Sequence, residues 1–382
     1  MTLDLPETGT FVGRVWLPEA DGPAVVVRRG DELVDITSRA IPTMQALLEM
    51  DDPVGAATNA VGRNLEEVTA IAANSTETPD PSQPYFLAPA DLQPIKACGV
   101  TFVSSMLERV IEEQAKGDPA KADQIRERCT AILGDSLRAV VPGSDKAAEL
   151  KTALIAEDVW SQYLEVGIGP DAEVFTKSQP MAAVGTGASV GLHPVSTWNN
   201  PEPEIVLAVN SGGQIKGATL GNDVNLRDVE GRSALLLGKA KDNNASCAVG
   251  PMLRLFDDSY GLDDVRRAEL TLRVAGEDGF VLNGQSSMSE ISRDPTDLVA
   301  QTRGLHHQYP DGFFLMLGTL FAPTQDRDTP GGGFTHKLGD RVEITNPLLG
   351  RLSNTVRLST ECPPWVFGTS ALMKNLARRD LL

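Results

Sequence analysis

The chain has 382 residues, a formal net charge of −18 and four cysteines. This length supports one large domain and a smaller one, each with a core of its own. The excess of acidic residues argues against binding to nucleic acid or to an anionic membrane surface, because both would repel the protein. No segment approaches the roughly 20 apolar residues that span a bilayer. The N-terminus also lacks the basic and then apolar pattern of a signal peptide, so a soluble, cytoplasmic protein is expected.

The first 84 residues predict a small α+β domain and a linker. Residues 10–37 contain β-rich segments separated by a Gly-Asp turn, and Pro42 begins a helix that runs to Leu48. The polar segment 74–84, rich in Pro and Ser, is typical of a linker. We therefore expect a domain and linker over 1–84 and a second domain over 85–382.

A helical segment is predicted within the second domain, at about 105–165. It contains helices at 105–116, after Asp118-Pro119, and from Asp145 to about Tyr163. Either it excludes water from a site as a lid, or it consists of packing helices. The cysteines are far apart and lack Cys-x-x-Cys spacing, so buried thiols are expected rather than a zinc site.

Acidic residues flank two adjacent apolar segments further along the chain. Glu202 and Glu204 stand two apart beside the apolar run 205–209, so on a strand both carboxylates leave the same face. Residues 210–213 predict a turn and 215–220 a return strand, which brings Asp223 beside the glutamates. Three carboxylates favour Mg²⁺, Mn²⁺ or Ca²⁺. The alternative is a solvated pair of acids and a turn aspartate.

These motifs resemble those of the fumarylacetoacetate hydrolase superfamily. They are Glu-Pro-Glu at 202–204, Gly-Asn-Asp-Val-Asn-Leu-Arg-Asp at 221–228 and Lys241 shortly after. Leu317-Gly318-Thr319 is similar to the family's Gly-Thr turn near the substrate carboxylate. The resemblance runs from about residue 95 to the C-terminus. It implies an α+β fold in which a small N-terminal α/β domain precedes a catalytic domain built on a mixed β-roll with a helical insertion.

Three longer segments, 161–169, 223–237 and 324–330, are similar to one branch of that superfamily, the bacterial 2-keto-3-deoxy-D-xylonate (2-dehydro-3-deoxy-D-arabinonate) dehydratases. The resemblance implies a hydro-lyase that forms 2,5-dioxopentanoate, or α-ketoglutarate semialdehyde, in D-xylose degradation and oxidative pentose catabolism. Its cofactor would be Mg²⁺, or Mn²⁺ or Ca²⁺ in its place, with no organic cofactor. The resemblance also implies a homodimer or homotetramer.

The chemistry of a 2-keto acid assigns a role to Lys241. Its carboxylate and ketone oxygens chelate one divalent cation, which acidifies the C3 protons and stabilises an enolate. A partly desolvated lysine near a cation has a lowered pKa, so Lys241 is the predicted base. Alternatively, Lys241 stays charged and pairs with the substrate carboxylate. Lys239 would face the same side of a strand and is the rival.

The chain departs from the hydrolytic members of the family at 99–108. Those members often carry Gly-x-x-Tyr-x-x-His-x-x-Glu, whose His-Glu pair activates water. Here Ser105 occupies the histidine position and Glu108 the glutamate position. Serine does not accept a proton near neutral pH without its own base, so hydrolysis is disfavoured, whereas elimination needs no nucleophilic water. Glu108 is a candidate acid for the departing hydroxyl, or an ordinary helix-face acid. Ser105 is a candidate substrate-binding residue.

Three further residues are candidates. Glu173 and Lys177 alternate with Phe175 on a predicted strand, so Glu173 would supply an acid–base group and Lys177 a charge for the substrate. Surface strand charges are the alternative. Thr319 would bind the substrate carboxylate, or it is a turn threonine without a ligand. His307 is the first candidate to replace the missing histidine.

Three other functions use the same cluster. The first is hydrolysis of 2,4-diketo acids by acylpyruvate-type carbon–carbon cleavage, which needs an activated water. The second is non-catalytic capture of a keto acid, which needs no acid–base pair. The third is decarboxylation of oxaloacetate through the same enolate.

Overall fold

The computed structural model describes residues 2–102, 106, 110, 140–156, 160–319, 321, 323, 325–328 and 333–382. The β-strands of these residues are β1 (Phe11–Leu17), β2 (Gly22–Arg29), β3 (Glu32–Asp35), β4 (Arg63–Glu67), β5 (Tyr85–Leu87), β6 (Ile95–Gly99), β7 (Glu173–Ser178), β8 (Ser189–Leu192), β9 (Pro203–Val209), β10 (Ile215–Asp223), β11 (Cys247–Leu255), β12 (Glu269–Ala275), β13 (Val281–Ser287), β14 (Phe313–Met316), β15 (Arg341–Asn346) and β16 (Gly350–Leu358).

Helices are interspersed with these strands along the chain. The α-helices of the described residues are α1 (Met44–Leu48), α2 (Pro53–Asn59), α3 (Val68–Asn74), α4 (Asp145–Ala156), α5 (Gln162–Ile168), α6 (Arg227–Glu230), α7 (Leu237–Lys241), α8 (Leu262–Arg266), α9 (Pro295–Thr302) and α10 (Thr369–Arg378). Short 3₁₀ helices lie at Pro18–Ala20, Ala234–Leu236 and Met288–Glu290. In this part of the chain, no helix is both long and apolar enough to cross a membrane.

The strands form two mixed sheets. An 11-stranded sheet has the order β4-β3-β2-β1-β11-β10-β9-β14-β6-β7, with β5 paired to β1. A 5-stranded sheet has the order β13-β12-β15-β16-β8. The predicted mixed α+β architecture is confirmed. The N-terminal strands belong to the larger sheet, because β1 pairs antiparallel with β11. The domain division at residue 84 stays a prediction.

The β9–β10 hairpin lies near the centre of the larger sheet, as the apolar pattern predicts. The two strands are antiparallel, and Gly213 N–H donates to Asn210 O at 2.9 Å in the connecting turn. Because side chains alternate along a strand, Ile205 and Leu207 enter one core while Val206 enters another. Both faces of the hairpin are therefore buried.

The helical segment predicted at about 105–165 lies largely outside the described residues and stays a prediction. Met106 and Val110 are helical and pack in a cluster with Leu164 of α5, but most of the segment from 103 to 139 lies outside the described residues. The single helix predicted from Asp145 to about Tyr163 is wrong. α4 ends at Ala156, and α5 begins after Ser161, whose hydroxyl accepts from Tyr163 N–H at 3.1 Å. The role of the segment as a lid stays a prediction.

Candidate metal centre and active site

Three carboxylates meet where β9 begins and β10 ends. The sheet register places Gly221 opposite Glu204, and Asp223 N–H donates to Glu202 O at 3.0 Å. One oxygen from each of Glu202, Glu204 and Asp223 lies within 4.8 Å of the others, and all three residues are buried. No other group of this kind occurs among the residues that the structure describes. The hairpin therefore brings together the three side chains predicted as metal ligands.

This donor set suits a hard divalent cation. Carboxylate oxygens are the ligands that Mg²⁺ and Ca²⁺ prefer. Burial, followed by the charges of Asp223 and Glu202, raises the pKa of Glu204 well above its ordinary value, although the Gly318 N–H and Lys241 oppose this shift. Like charges buried this closely repel one another, and a cation held by Glu202, Glu204 and Asp223 would relieve the repulsion.

Lys241 lies against two of these carboxylates. Its Nζ donates to Glu202 Oε2 at 2.6 Å and to Asp223 Oδ2 at 3.1 Å. Burial alone would lower the pKa of Lys241, but Asp223, Glu202 and Glu230 together outweigh it and the pKa is raised. The carboxylates by themselves therefore favour the charged ammonium. The lowered pKa expected from the sequence requires a cation's charge at the same carboxylates.

The rival lysine does not share this position. The prediction that Lys239 and Lys241 lie on one face of a strand is wrong, because both residues lie on helix α7. With 3.6 residues per helical turn, residues two apart point in nearly opposite directions. Lys239 is accordingly exposed, whereas Lys241 is buried.

Lys177 reaches the same cluster from β7. It is 0% exposed, and its Nζ lies 2.7 Å from Asp223 Oδ1. The same ammonium donates to Val224 O at 3.0 Å and to the backbone carbonyl of Lys241. Lys177 therefore links the candidate ligand Asp223 to the end of α7, which carries Lys241.

Glu173 and Phe175 lie on the same face of β7 as Lys177. Lys241 Nζ stands 5.6 Å from the centre of the Phe175 ring. Glu173 pairs with Gly99 across the sheet, and a Cβ at residue 99 would lie 1.9 Å from Glu173 Oε2. Glycine at this position therefore leaves room for the Glu173 carboxylate, which is half-buried at the edge of the cluster.

The Gly-Thr turn approaches Glu204. Gly318 N–H donates to Glu204 Oε2 at 2.6 Å. Thr319 is half-buried, and its hydroxyl accepts from Phe321 N–H at 3.0 Å. The turn thus lies beside the candidate metal centre, and its glycine N–H is already bonded to a carboxylate there.

Ser105, Glu108 and His307 are the remaining residues that the sequence predicts for the site. Ser105 and Glu108 lie outside the described residues. His307 is exposed and its ring contacts Tyr309.

Asn225 also belongs to the site, although the sequence motifs did not single it out: its Nδ2 donates to Glu202 Oε1 at 3.0 Å. The available signal was its position two residues after Asp223, in a segment that is otherwise apolar at Val224 and Leu226.

Superposition on solved structures identifies the class of fold to which this chain belongs. A fumarylacetoacetate hydrolase from Exiguobacterium antarcticum superposes with a TM-score of 0.55, at 14% identity, over 91% of this chain and 99% of that one. A 2-keto-3-deoxy-D-arabinonate dehydratase complexed with magnesium and 2,5-dioxopentanoate superposes with a TM-score of 0.62, at 20% identity, over 91% and 99%. The chain has the fumarylacetoacetate hydrolase fold, as the motifs predict.

Sequence comparison is more specific. The chain is 31% identical over 195 residues to a probable 2-keto-3-deoxyxylonate dehydratase of Haloferax volcanii, which covers 51% of this chain and 63% of the relative. It is 30% identical over 188 residues to a 2-dehydro-3-deoxy-D-arabinonate dehydratase of Saccharolobus solfataricus, and this match covers 48% of this chain and 58% of that relative. The predicted resemblance to this branch is confirmed. Each match spans less than two thirds of the relative, and no protein-family model matches the chain.

Proposed function

We propose that the protein is a divalent-metal-dependent hydro-lyase that dehydrates 2-keto-3-deoxy-D-xylonate to 2,5-dioxopentanoate. The observation that carries the proposal is the buried triad of Glu202, Glu204 and Asp223 with the Lys241 ammonium 2.6 Å from one of its oxygens. The names of the two sequence relatives support the substrate class. A Mg²⁺ ion held by the triad would polarise the ketone of a bound 2-keto acid and acidify its C3 protons.

Side chains of the protein would accept and donate the protons of this reaction. A cation held at these carboxylates would lower the pKa of Lys241, so that its neutral amine, beside Glu202 and Asp223, accepts one C3 proton. Glu173, on the β7 face that also carries Phe175 and Lys177, donates a proton to the departing C4 hydroxyl. Glu108 is the second candidate for this acid. Ser105, Thr319 and Lys177 are the proposed substrate-binding residues.

The overall reaction balances as loss of one water. The C3–H and C4–O bonds break, a C3–C4 double bond forms, and the hydroxyl leaves as water with the proton from the acid. The C5–H and C5 O–H protons are then lost through a dienol while C3 and C4 each gain one proton, which leaves an aldehyde at C5 and methylene groups at C3 and C4. No electrons are exchanged with a second reactant, so no organic cofactor is required. We further propose that the enzyme is a cytoplasmic homodimer or homotetramer of oxidative pentose catabolism.

Product analysis tests the proposal. The purified protein is incubated with Mg²⁺ and 2-keto-3-deoxy-D-xylonate, with a chelator control. We expect 2,5-dioxopentanoate that disappears on chelation. Pyruvate from a 2,4-diketo acid, with no turnover of the pentonate, would replace the dehydratase by a hydrolase. Binding of either acid without any product would instead indicate a keto-acid binding protein.

A further inference from the structure

We propose that Thr101 is a positioning residue for Glu204 and acts through the peptide group that joins Leu317 to Gly318. The inference rests on the proposed function, because Glu204 is one of its metal ligands. Thr101 is buried and belongs to none of the candidate sites considered above.

The two ends of one peptide group carry the argument. Thr101 Oγ1 donates to Leu317 O at 2.7 Å, and Gly318 N–H donates to Glu204 Oε2 at 2.6 Å. This carbonyl and this N–H belong to the same peptide unit, which is planar and, in the trans form, directs them to opposite sides. Fixing the carbonyl therefore fixes the direction of the N–H. The Thr101 hydroxyl aims the Gly318 N–H at the Glu204 carboxylate.

Thr101 is itself held in place by its backbone. Its carbonyl accepts from Ser292 N–H at 2.7 Å and from Ser292 Oγ at 2.9 Å. The preceding Val100 has a φ of 56°, a left-handed conformation that is costly for a β-branched residue and that only a well-determined environment maintains. The hydroxyl consequently has a fixed origin from which to orient the peptide.

The neighbouring peptide, which joins Met316 to Leu317, is also held. Leu317 N–H donates to Ile205 O at 3.1 Å, next to Glu204 on β9. Gly318 has a φ of +94°, and a Cβ there would lie 2.1 Å from Thr101 Oγ1. Only glycine suits both the backbone conformation and the contact with Thr101. Threonine at 101 and glycine at 318 thus form a matched pair, although 216 positions separate the two hydrogen-bonded residues Thr101 and Leu317.

Without the hydroxyl, the peptide plane would be free to tilt, and the hydrogen bond to the Glu204 carboxylate would lengthen. Partners that orient a ligand carboxylate typically change metal affinity by about 10–100-fold when they are removed. Thr101 acts one step further away, so we expect the lower end of that range.

The experiment measures Mn²⁺ affinity calorimetrically on the full chain, in the wild type and in Thr101→Val, which keeps the shape and removes the hydroxyl. We expect Thr101→Val to bind Mn²⁺ about tenfold more weakly and Thr101→Ser to retain wild-type affinity. Activity of Thr101→Val should recover at saturating Mn²⁺, which separates metal binding from turnover. Thr302→Val is the matched control, because Thr302 is buried and its hydroxyl donates to Leu298 O at 2.8 Å in α9.

Unchanged affinity in Thr101→Val, or an equal loss in Thr302→Val, would overturn the positioning role while leaving the metal centre intact. Absence of Mn²⁺ binding by the wild type would overturn the metal centre and the positioning role together. If Thr101→Val does not fold, Thr101→Ala replaces it. Equal Mn²⁺ affinities in Thr101→Ala and Thr101→Ser would then contradict the proposal, and a selective loss in Thr101→Ala would support it.

Discussion

Two lysines face the carboxylates of the candidate metal centre, and their surroundings differ. The Lys177 ammonium donates to two backbone carbonyls, those of Val224 and Lys241, and forms an ion pair with Asp223. The Lys241 ammonium instead donates to two carboxylates of the candidate metal centre, those of Glu202 and Asp223. Contact of Lys177 with the substrate stays a prediction, and its two carbonyl acceptors and its buried ion pair favour a structural contribution.

Replacing Lys177 by methionine should therefore lower stability before it affects catalysis. Removing one partner from a buried ion pair costs about 3–5 kcal/mol, because the other charge stays buried. We expect a loss of this order in the free energy of unfolding, measured with urea. Lys151→Met is the control, since the Lys151–Glu165 pair is largely exposed and such pairs contribute about 0–1 kcal/mol. A changed KM with unchanged stability would instead support a role for Lys177 in substrate binding.

Glu204 and Lys241 should separate metal binding from proton transfer. Glu204→Gln removes a negative ligand, so it should weaken Mg²⁺ binding and abolish turnover. Lys241→Ala should abolish turnover but leave metal affinity largely intact, because its ammonium holds ligand carboxylates without being a ligand. Titration with Mn²⁺ and a product assay on both variants check this. Full activity in either variant would contradict the assigned role.

At the scale of elements, the C-terminal helix α10 closes the turn between β1 and β2. Its buried residues Leu372, Asn375 and Leu376 recur at helical spacing. Asn375 Nδ2 donates to Ala20 O at 2.9 Å and to Asp21 O at 2.8 Å. One amide thus satisfies two carbonyls of a turn that the distant end of the chain covers.

Asn375→Leu should detach this helix from the turn. It removes two hydrogen bonds to carbonyls of a partly exposed turn, each worth about 0.5–1.5 kcal/mol, so we expect a loss of about 1–3 kcal/mol in the free energy of unfolding. Mn²⁺ affinity should not change, because α10 supplies none of the metal-centre residues. Lys374→Ala, at an exposed position on the same helix, is the control. An equal loss of stability in both variants would mean that helix propensity rather than the amide is responsible.

At the scale of the whole molecule, a cluster of charged side chains, buried at Arg327, His336 and Asp340 and exposed at Asp278, joins the segment before β15 to a distant turn. Arg327 binds Asp340 at 2.6 Å and Asp278 at 3.1 Å, and His336 Nδ1 lies 3.1 Å from Asp340 Oδ2. Burial would raise the pKa of Asp340, but hydrogen bonds from Arg327 and His336 outweigh it and lower the pKa to about 2.

This cluster predicts how acid affects stability. Because the folded-state pKa of Asp340 lies below its unfolded value of 3.8, its contribution is present above about pH 4 and lost as the pH falls towards about 2. A shift of this size corresponds to about 2 kcal/mol. The urea midpoints of the wild type and Asp340→Asn should therefore converge below about pH 4. Asp171→Asn, at an exposed aspartate, serves as the control. A difference that is constant with pH would exclude this linkage.

The sequence by itself determined the parts of this protein that depend on local periodicity. An apolar run, a Gly-rich turn and a second apolar segment predict the β9–β10 hairpin, and the hairpin alone brings Glu202, Glu204 and Asp223 together. The family motifs added the fold. Ser105 and Glu108, which the family motif at 99–108 singled out, stay predictions because they lie outside the described residues.

Only the tertiary structure decided how that cluster is completed. Lys241 faces the carboxylates because its segment is a helix, and Lys177 and Gly318 reach them from β7 and from the end of β14. The positions of Lys177 and Gly318 beside the carboxylates depend on the order of strands in the sheet. The spacing of nearby residues does not predict which distant strands pair. The same reason hides Thr101 from sequence reasoning. Its hydroxyl acquires a role only when the turn after β14 is folded against it.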